Sequence, residues 1–69
     1  MTDKLKRVMW RLRSHRGKMN KPALENAIRR ECGVWPETIK INIDALKKLG
    51  WIRMRGWSVR ITGKDEEES

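Results

Sequence analysis

The chain has 69 residues, of which 38% are charged, and its formal net charge at pH 7 is +8. A chain this short forms one domain at most. No apolar stretch approaches the roughly 18 residues of a transmembrane helix, and no signal-peptide pattern opens the chain. These features argue against a membrane protein and predict an intracellular, cytoplasmic one.

The charge is unevenly distributed. Positions 64–69 hold one lysine and four acids, which leaves 16 basic and 5 acidic residues in positions 1–63, a net charge of +11. Such a field attracts polyanions: nucleic acid first, acidic membrane surfaces second and acidic proteins third. We expect a folded domain at 1–63 and a disordered acidic tail at 64–69.

Three amphipathic helices are predicted in the first fifty residues. The first, Asp3 to Ser14, begins near Thr2 or Asp3, ends before Gly17 and has its apolar residues at helical spacing. The second is capped by Asn20, tolerates Pro22 in its first turn and closes at Cys32. The third opens at Pro36 and ends at Gly50, with Trp35 as an imperfect cap. The buried stripes are expected to be Leu5, Val8, Met9 and Leu12, then Leu24, Ala27 and Ile28, then Ile39, Ile43, Leu46 and Leu49.

After Gly50 the apolar period changes from 3.6 to 2, which predicts a β-hairpin turning at Arg55-Gly56. The expected pairs are Ile52 with Val59 and Met54 with Trp57. The opposite face carries Arg53, Ser58 and Arg60.

Three helices followed by a hairpin, in this order, resemble a winged helix-turn-helix domain over residues 5–62. The matching positions run from the third helix into the hairpin: Thr38-Ile39, Ile43, Leu46, Leu49-Gly50-Trp51-Ile52, Gly56, Val59 and Ile61-Thr62. In size the chain resembles the minimal regulators of archaea and of their viruses and plasmids. The resemblance implies an α+β fold, mostly α, with a three-helix helix-turn-helix core and a two-stranded hairpin wing.

The resemblance also implies DNA binding, with the third helix in the major groove and the wing on the backbone or in the minor groove. If the apolar stripe of the third helix faces inward, the side chains left toward the groove are Glu37, Thr38, Lys40, Ile41, Asp44 and Lys47. The expected wing contacts are Arg53, Arg55 and Arg60, and the expected phosphate anchors near the second helix are Lys18 and Lys21.

The tryptophans differ in expected role. Trp57 is predicted to lie in the core, and Trp51 at the hairpin edge, within cation–π reach of Arg60. Trp10 projects from the polar face of the first helix, which indicates a homodimer contact. The alternative is a ring that lies over the stems of Lys6 and Arg13.

No catalytic set is recognisable, and one cysteine with one histidine supports neither a disulfide nor a metal cluster. We therefore expect no enzyme activity, cofactor or metal. The expected function is sequence-specific binding of double-stranded DNA, as a homodimeric transcriptional regulator. The alternatives are a protein-interaction module and a non-specific DNA- or RNA-binding architectural protein.

Overall fold

A computed structural model describes residues 3–15 and 19–67. Three helices are followed by an antiparallel hairpin and a short fourth helix, which confirms the predicted α+β layout. The elements are α1 (Asp3–Ser14), α2 (Lys21–Glu31), α3 (Pro36–Leu49), β1 (Ile52–Arg55), β2 (Ser58–Ile61) and α4 (Lys64–Glu67). The predictions for Thr2, Gly17 and Lys18 lie outside the described residues.

Local capping explains where the helices begin and end. The Asn20 side chain accepts a hydrogen bond from the Ala23 amide at 3.1 Å, and so satisfies a donor that α2 leaves unpaired. Trp35 provides no side-chain cap to α3, as expected. Gly50 ends α3 with a left-handed φ of 74°, a conformation that glycine adopts without steric cost. These signals are local, which is why the helix bounds agree with the prediction.

One core joins the apolar stripes of α1, α2 and α3 to the inner face of the hairpin. Leu49, predicted in the stripe of α3, is partly buried at its edge. The fully covered members include Val8, Met9, Leu24, Ile28 and Leu46. The hairpin is therefore fixed on the three-helix body by the core, because Ile52 and Val59 belong to it.

The hairpin register differs from the prediction. The observed pairs are Ile52 with Ile61, Arg53 with Arg60, Met54 with Val59 and Arg55 with Ser58. Gly56 and Trp57 form the two-residue turn, with φ of 60° at Gly56. Both turns have two residues, but the observed one places a glycine with positive φ at the first turn position, where the predicted turn would place Arg55. Glycine adopts this conformation without steric cost, so the observed turn is favoured.

Residues 19–21, at the start of α2, pair with the outer edge of β2, which the sequence did not predict. Asn20 and Ser58 form an antiparallel bridge. The Val59 amide donates to the Met19 carbonyl at 3.1 Å, and the Lys21 amide donates to the Trp57 carbonyl at 2.8 Å. One edge of β2 pairs with β1 and the other is covered by residues 19–21, which ties the tip of the hairpin to the start of α2.

Trp51 lies in the core and not at the hairpin edge, so the predicted contact with Arg60 is wrong. Its exposed fraction is 0%, and its indole Nε1 has no hydrogen-bond partner within the described residues. The cause is the turn at Gly50: the Trp51 amide donates to the Leu46 carbonyl at 3.1 Å, and the chain turns back onto the body.

The predicted disorder of the tail is wrong for residues 64–67, which form α4, whereas residues 68 and 69 lie outside the described part. The Thr62 hydroxyl donates to the Gly50 carbonyl at 2.5 Å, and the Thr62 amide donates to the Trp51 carbonyl at 3.0 Å. Arg13 of α1 donates two hydrogen bonds to the Asp65 carboxylate, at 2.5 and 2.6 Å. The start of the tail is therefore packed on the domain.

Candidate nucleic-acid interface

The solvent-facing side of α3 carries the predicted polar residues, with one difference. Thr38 is half-buried, because its methyl group lies near Gly33 in the turn before the helix. Lys48, absent from the prediction, is exposed one turn beyond Asp44. We define the α3 outer face as Glu37, Lys40, Ile41, Asp44, Lys47 and Lys48, all exposed.

A groove between α2 and α3 borders this face, and Met54 of β1 also lines it. Its charged rim consists of Lys21, Glu25 and Arg29 from α2 and Lys40, Asp44 and Lys47 from α3. Four cations and two acids give the rim a net charge of +2. Its attraction for a polyanion is therefore weaker than the number of lysines suggests.

A cluster of positive charge lies on the hairpin. We define its outer face as four exposed residues: Arg53, Arg55, Ser58 and Arg60. Arg53 and Arg60 are direct cross-strand partners. Like charges placed opposite each other destabilise a sheet. Within the described residues none of the three arginines forms a salt bridge, so this face is suited to an external anion.

Trp57 is exposed, and its predicted place in the core is wrong. Since Gly56 and Trp57 occupy the turn, the indole lies at the tip of the hairpin with 66% of its surface exposed. The Nζ of Lys21 lies 5.6 Å from the centroid of its ring, a cation–π distance. Lys21 also lines the groove beside α3, so this residue connects the hairpin tip with that groove.

Trp10 is exposed, as predicted, at 67% of its surface. The two arginines that follow it in α1, Arg11 and Arg13, are engaged within the chain. Arg11 Nε donates to Glu31 Oε1 at 2.5 Å, and Arg13 is held by Asp65. These ion pairs reduce the positive charge that surrounds the exposed indole.

The Arg13–Asp65 contact perturbs the titration of both groups. Hydrogen bonds from the Arg13 guanidinium lower the pKa of Asp65 below its ordinary value, although burial of the carboxylate opposes this shift. The same hydrogen bonds raise the pKa of Arg13. Because the folded-state pKa of Asp65 is depressed, the stabilisation is present above its unfolded pKa and is lost as pH falls through its folded pKa.

Asp65→Asn is expected to lower the free energy of unfolding by about 1.5–3 kcal/mol at neutral pH, the range for hydrogen bonds to charged groups. The difference from wild type should shrink as pH falls through the depressed pKa, and urea denaturation across a pH series measures it. Glu66→Gln is the control: its side chain is 70% exposed and 3.5 Å from Arg13, so about 0–1 kcal/mol is expected. Equal stability of Asp65→Asn and wild type at every pH would contradict the prediction.

Cys32 is partly buried at the end of α2 and packs against the core. Burial raises the pKa of its thiol. The group is therefore a weaker nucleophile at neutral pH than an exposed cysteine.

Comparisons of the chain with protein-family models, curated proteins and solved structures find no significant match. The described residues contain no group of three or more His, Cys, Asp or Glu side chains arranged to hold a metal ion. Within the same residues, no helix has the length and apolar character needed to cross a membrane.

Proposed function

We propose that this chain is a winged helix-turn-helix domain that binds double-stranded DNA in a sequence-specific manner, as a cytoplasmic transcriptional regulator that acts by binding and not by catalysis. The observation that carries the proposal is the hairpin outer face. Three exposed arginines, two of them directly paired across the strands, lie on a fully polar surface. The phosphate backbone of DNA supplies the regularly spaced anions that such a surface needs.

In this proposal α3 provides the sequence readout. An α-helix fits the major groove of B-DNA, where Lys40 can reach guanine acceptors, Glu37 can accept from the cytosine amino group and Ile41 can contact a thymine methyl. The acids on the α3 outer face weaken non-specific attraction to phosphate. They are better explained as contacts that discriminate between bases than as contributors to affinity.

Competition binding tests the proposal. A labelled duplex selected from a random pool is titrated with the protein, with random duplex DNA and single-stranded RNA as competitors, over a series of salt concentrations. We expect preference for the selected duplex and a slope of log K against log salt of about −0.9 for each neutralised phosphate. A slope near zero would overturn DNA binding, whereas equal competition by random duplex or RNA would assign a non-specific architectural role.

We also propose that the protein binds a palindromic site as a homodimer formed through α1. The support is the exposed indole of Trp10, together with the pairing of Arg11 and Arg13, which follow it in α1, with acids of the same chain. These ion pairs reduce the repulsion between two copies of α1. Sedimentation should show a dimer that dissociates in Trp10→Ala, because interface tryptophans often dominate binding energy. An unchanged mass in Trp10→Ala would contradict this arrangement.

A protein-interaction module is the second candidate. Val34, Trp35 and Ile41 are 69%, 73% and 66% exposed, and all three lie at or near the start of α3. Val34 and Trp35 are adjacent in the turn before α3, and neighbouring exposed apolar side chains are typical of protein contacts. This candidate expects no salt-dependent DNA binding in the competition experiment.

A further inference from the structure

Trp57 is a large apolar side chain at a position where the fold does not use it. The turn requires glycine at residue 56, where φ is 60°, but makes no comparable demand for an aromatic residue at 57. With 66% of its surface exposed, the indole contributes little to the core. Binding explains the presence of an indole at this position better than folding does.

The turn that carries the ring is anchored beside positive charge. The Lys21 amide donates to the Trp57 carbonyl at 2.8 Å, which anchors the turn to the first residue of α2. The Lys21 ammonium lies 5.6 Å from the ring centroid, and exposed Arg55 precedes the turn. Such a site is complementary to a ligand in which flat or apolar surfaces alternate with phosphates. The ring can pack on the apolar surfaces, and the cations can pair with the phosphates.

We propose that Trp57 is an aromatic wedge that enters the minor groove of duplex DNA, packing on the deoxyribose walls at a partly unstacked base step, while Lys21 and Arg55 contact the adjacent phosphates. This inference rests on the proposed DNA binding and adds a contact that determines shape preference. Apolar wedges in the minor groove unstack a base step and bend the duplex. The favoured steps are pyrimidine–purine steps, because these unstack most easily.

Affinity and DNA shape, measured together on the full chain, test the wedge. Fluorescence anisotropy gives Kd for an end-labelled duplex from the selected pool, and energy transfer between its two ends reports bending. Trp57→Ala should raise Kd about 5- to 150-fold, the range for loss of aromatic stacking on a base. It should also remove most of a bend of about 20–90°. Trp57→Phe should retain part of both effects.

Lys21→Ala is the charge control. It should reduce the salt slope by about 0.9, whereas Trp57→Ala should leave the slope unchanged, because the indole neutralises no phosphate. Thermal melting checks that both variants are folded. We expect Trp57→Ala to fold, because Trp57 is exposed and its removal leaves the core intact.

The possible outcomes separate this inference from the proposed function. Salt-dependent duplex binding with the same Kd and bend in wild type and Trp57→Ala would overturn the wedge and leave DNA binding in place. A change in oligomeric mass in Trp57→Ala would also overturn it, since the ring would then be a protein contact. Absence of duplex binding by the wild-type protein would overturn both.

Discussion

Ile43→Ala is expected to lower the free energy of unfolding by about 2–5 kcal/mol, because it removes buried atoms and leaves a cavity between α3 and its neighbours. Ile43 is 7% exposed and belongs to the single core that joins helices and hairpin. Domains have total stabilities of only about 5–15 kcal/mol, and one of this size lies toward the lower end. This one substitution is therefore expected to remove a large part of the domain's free energy of unfolding.

Ile41→Ala is the matched control, since it makes the same chemical change two residues away on the same helix. Ile41 is 66% exposed, so its replacement should change the free energy of unfolding by no more than about 0.5 kcal/mol. Urea denaturation followed by tryptophan fluorescence measures both variants. An equal loss of unfolding free energy in the two variants would mean that Ile43 does not face the core while Ile41 faces solvent.

The double replacement of Arg53 and Arg60 by alanine is expected to weaken duplex binding about 30-fold at roughly 0.15 M salt, since a slope of −0.9 per phosphate corresponds to about fivefold for each contact. The salt slope should fall by about 1.8 for the same reason. Folding stability should stay the same or rise by up to about 1 kcal/mol, because two like charges are direct cross-strand partners in the hairpin.

A matched control removes two cations elsewhere. Lys4 of α1 and Arg30 of α2 are exposed, and their replacement by alanine changes the net charge by the same amount. If the hairpin outer face contacts phosphates, this control should weaken binding much less. Equal effects of the two double variants would mean that only the overall charge attracts DNA and that the hairpin makes no specific contact.

Much of the helical fold could be predicted from the sequence because its signals are local. The bounds of α1 follow from apolar spacing, and α2 begins where the Asn20 side chain caps its own first turn. The end of α3 follows from Gly50, which adopts the left-handed conformation. The exposed residues of α3 follow from the same periodicity, apart from half-buried Thr38 and the omitted Lys48.

Tertiary structure decided the features that depend on distant partners. Alternation placed Trp57 inside and Trp51 at the edge. Trp57 is exposed because Gly56 and Trp57 form the turn, and Trp51 is buried because the turn at Gly50 directs the chain back onto the body. Residues 19–21 pair with β2 across nearly forty positions of sequence. Arg13 and Asp65, which are 52 residues apart, meet only after α1 and the hairpin have packed on one core. Composition and local periodicity carry no information on such pairings, since the hydrogen bonds and burial that fix them exist only in the folded chain.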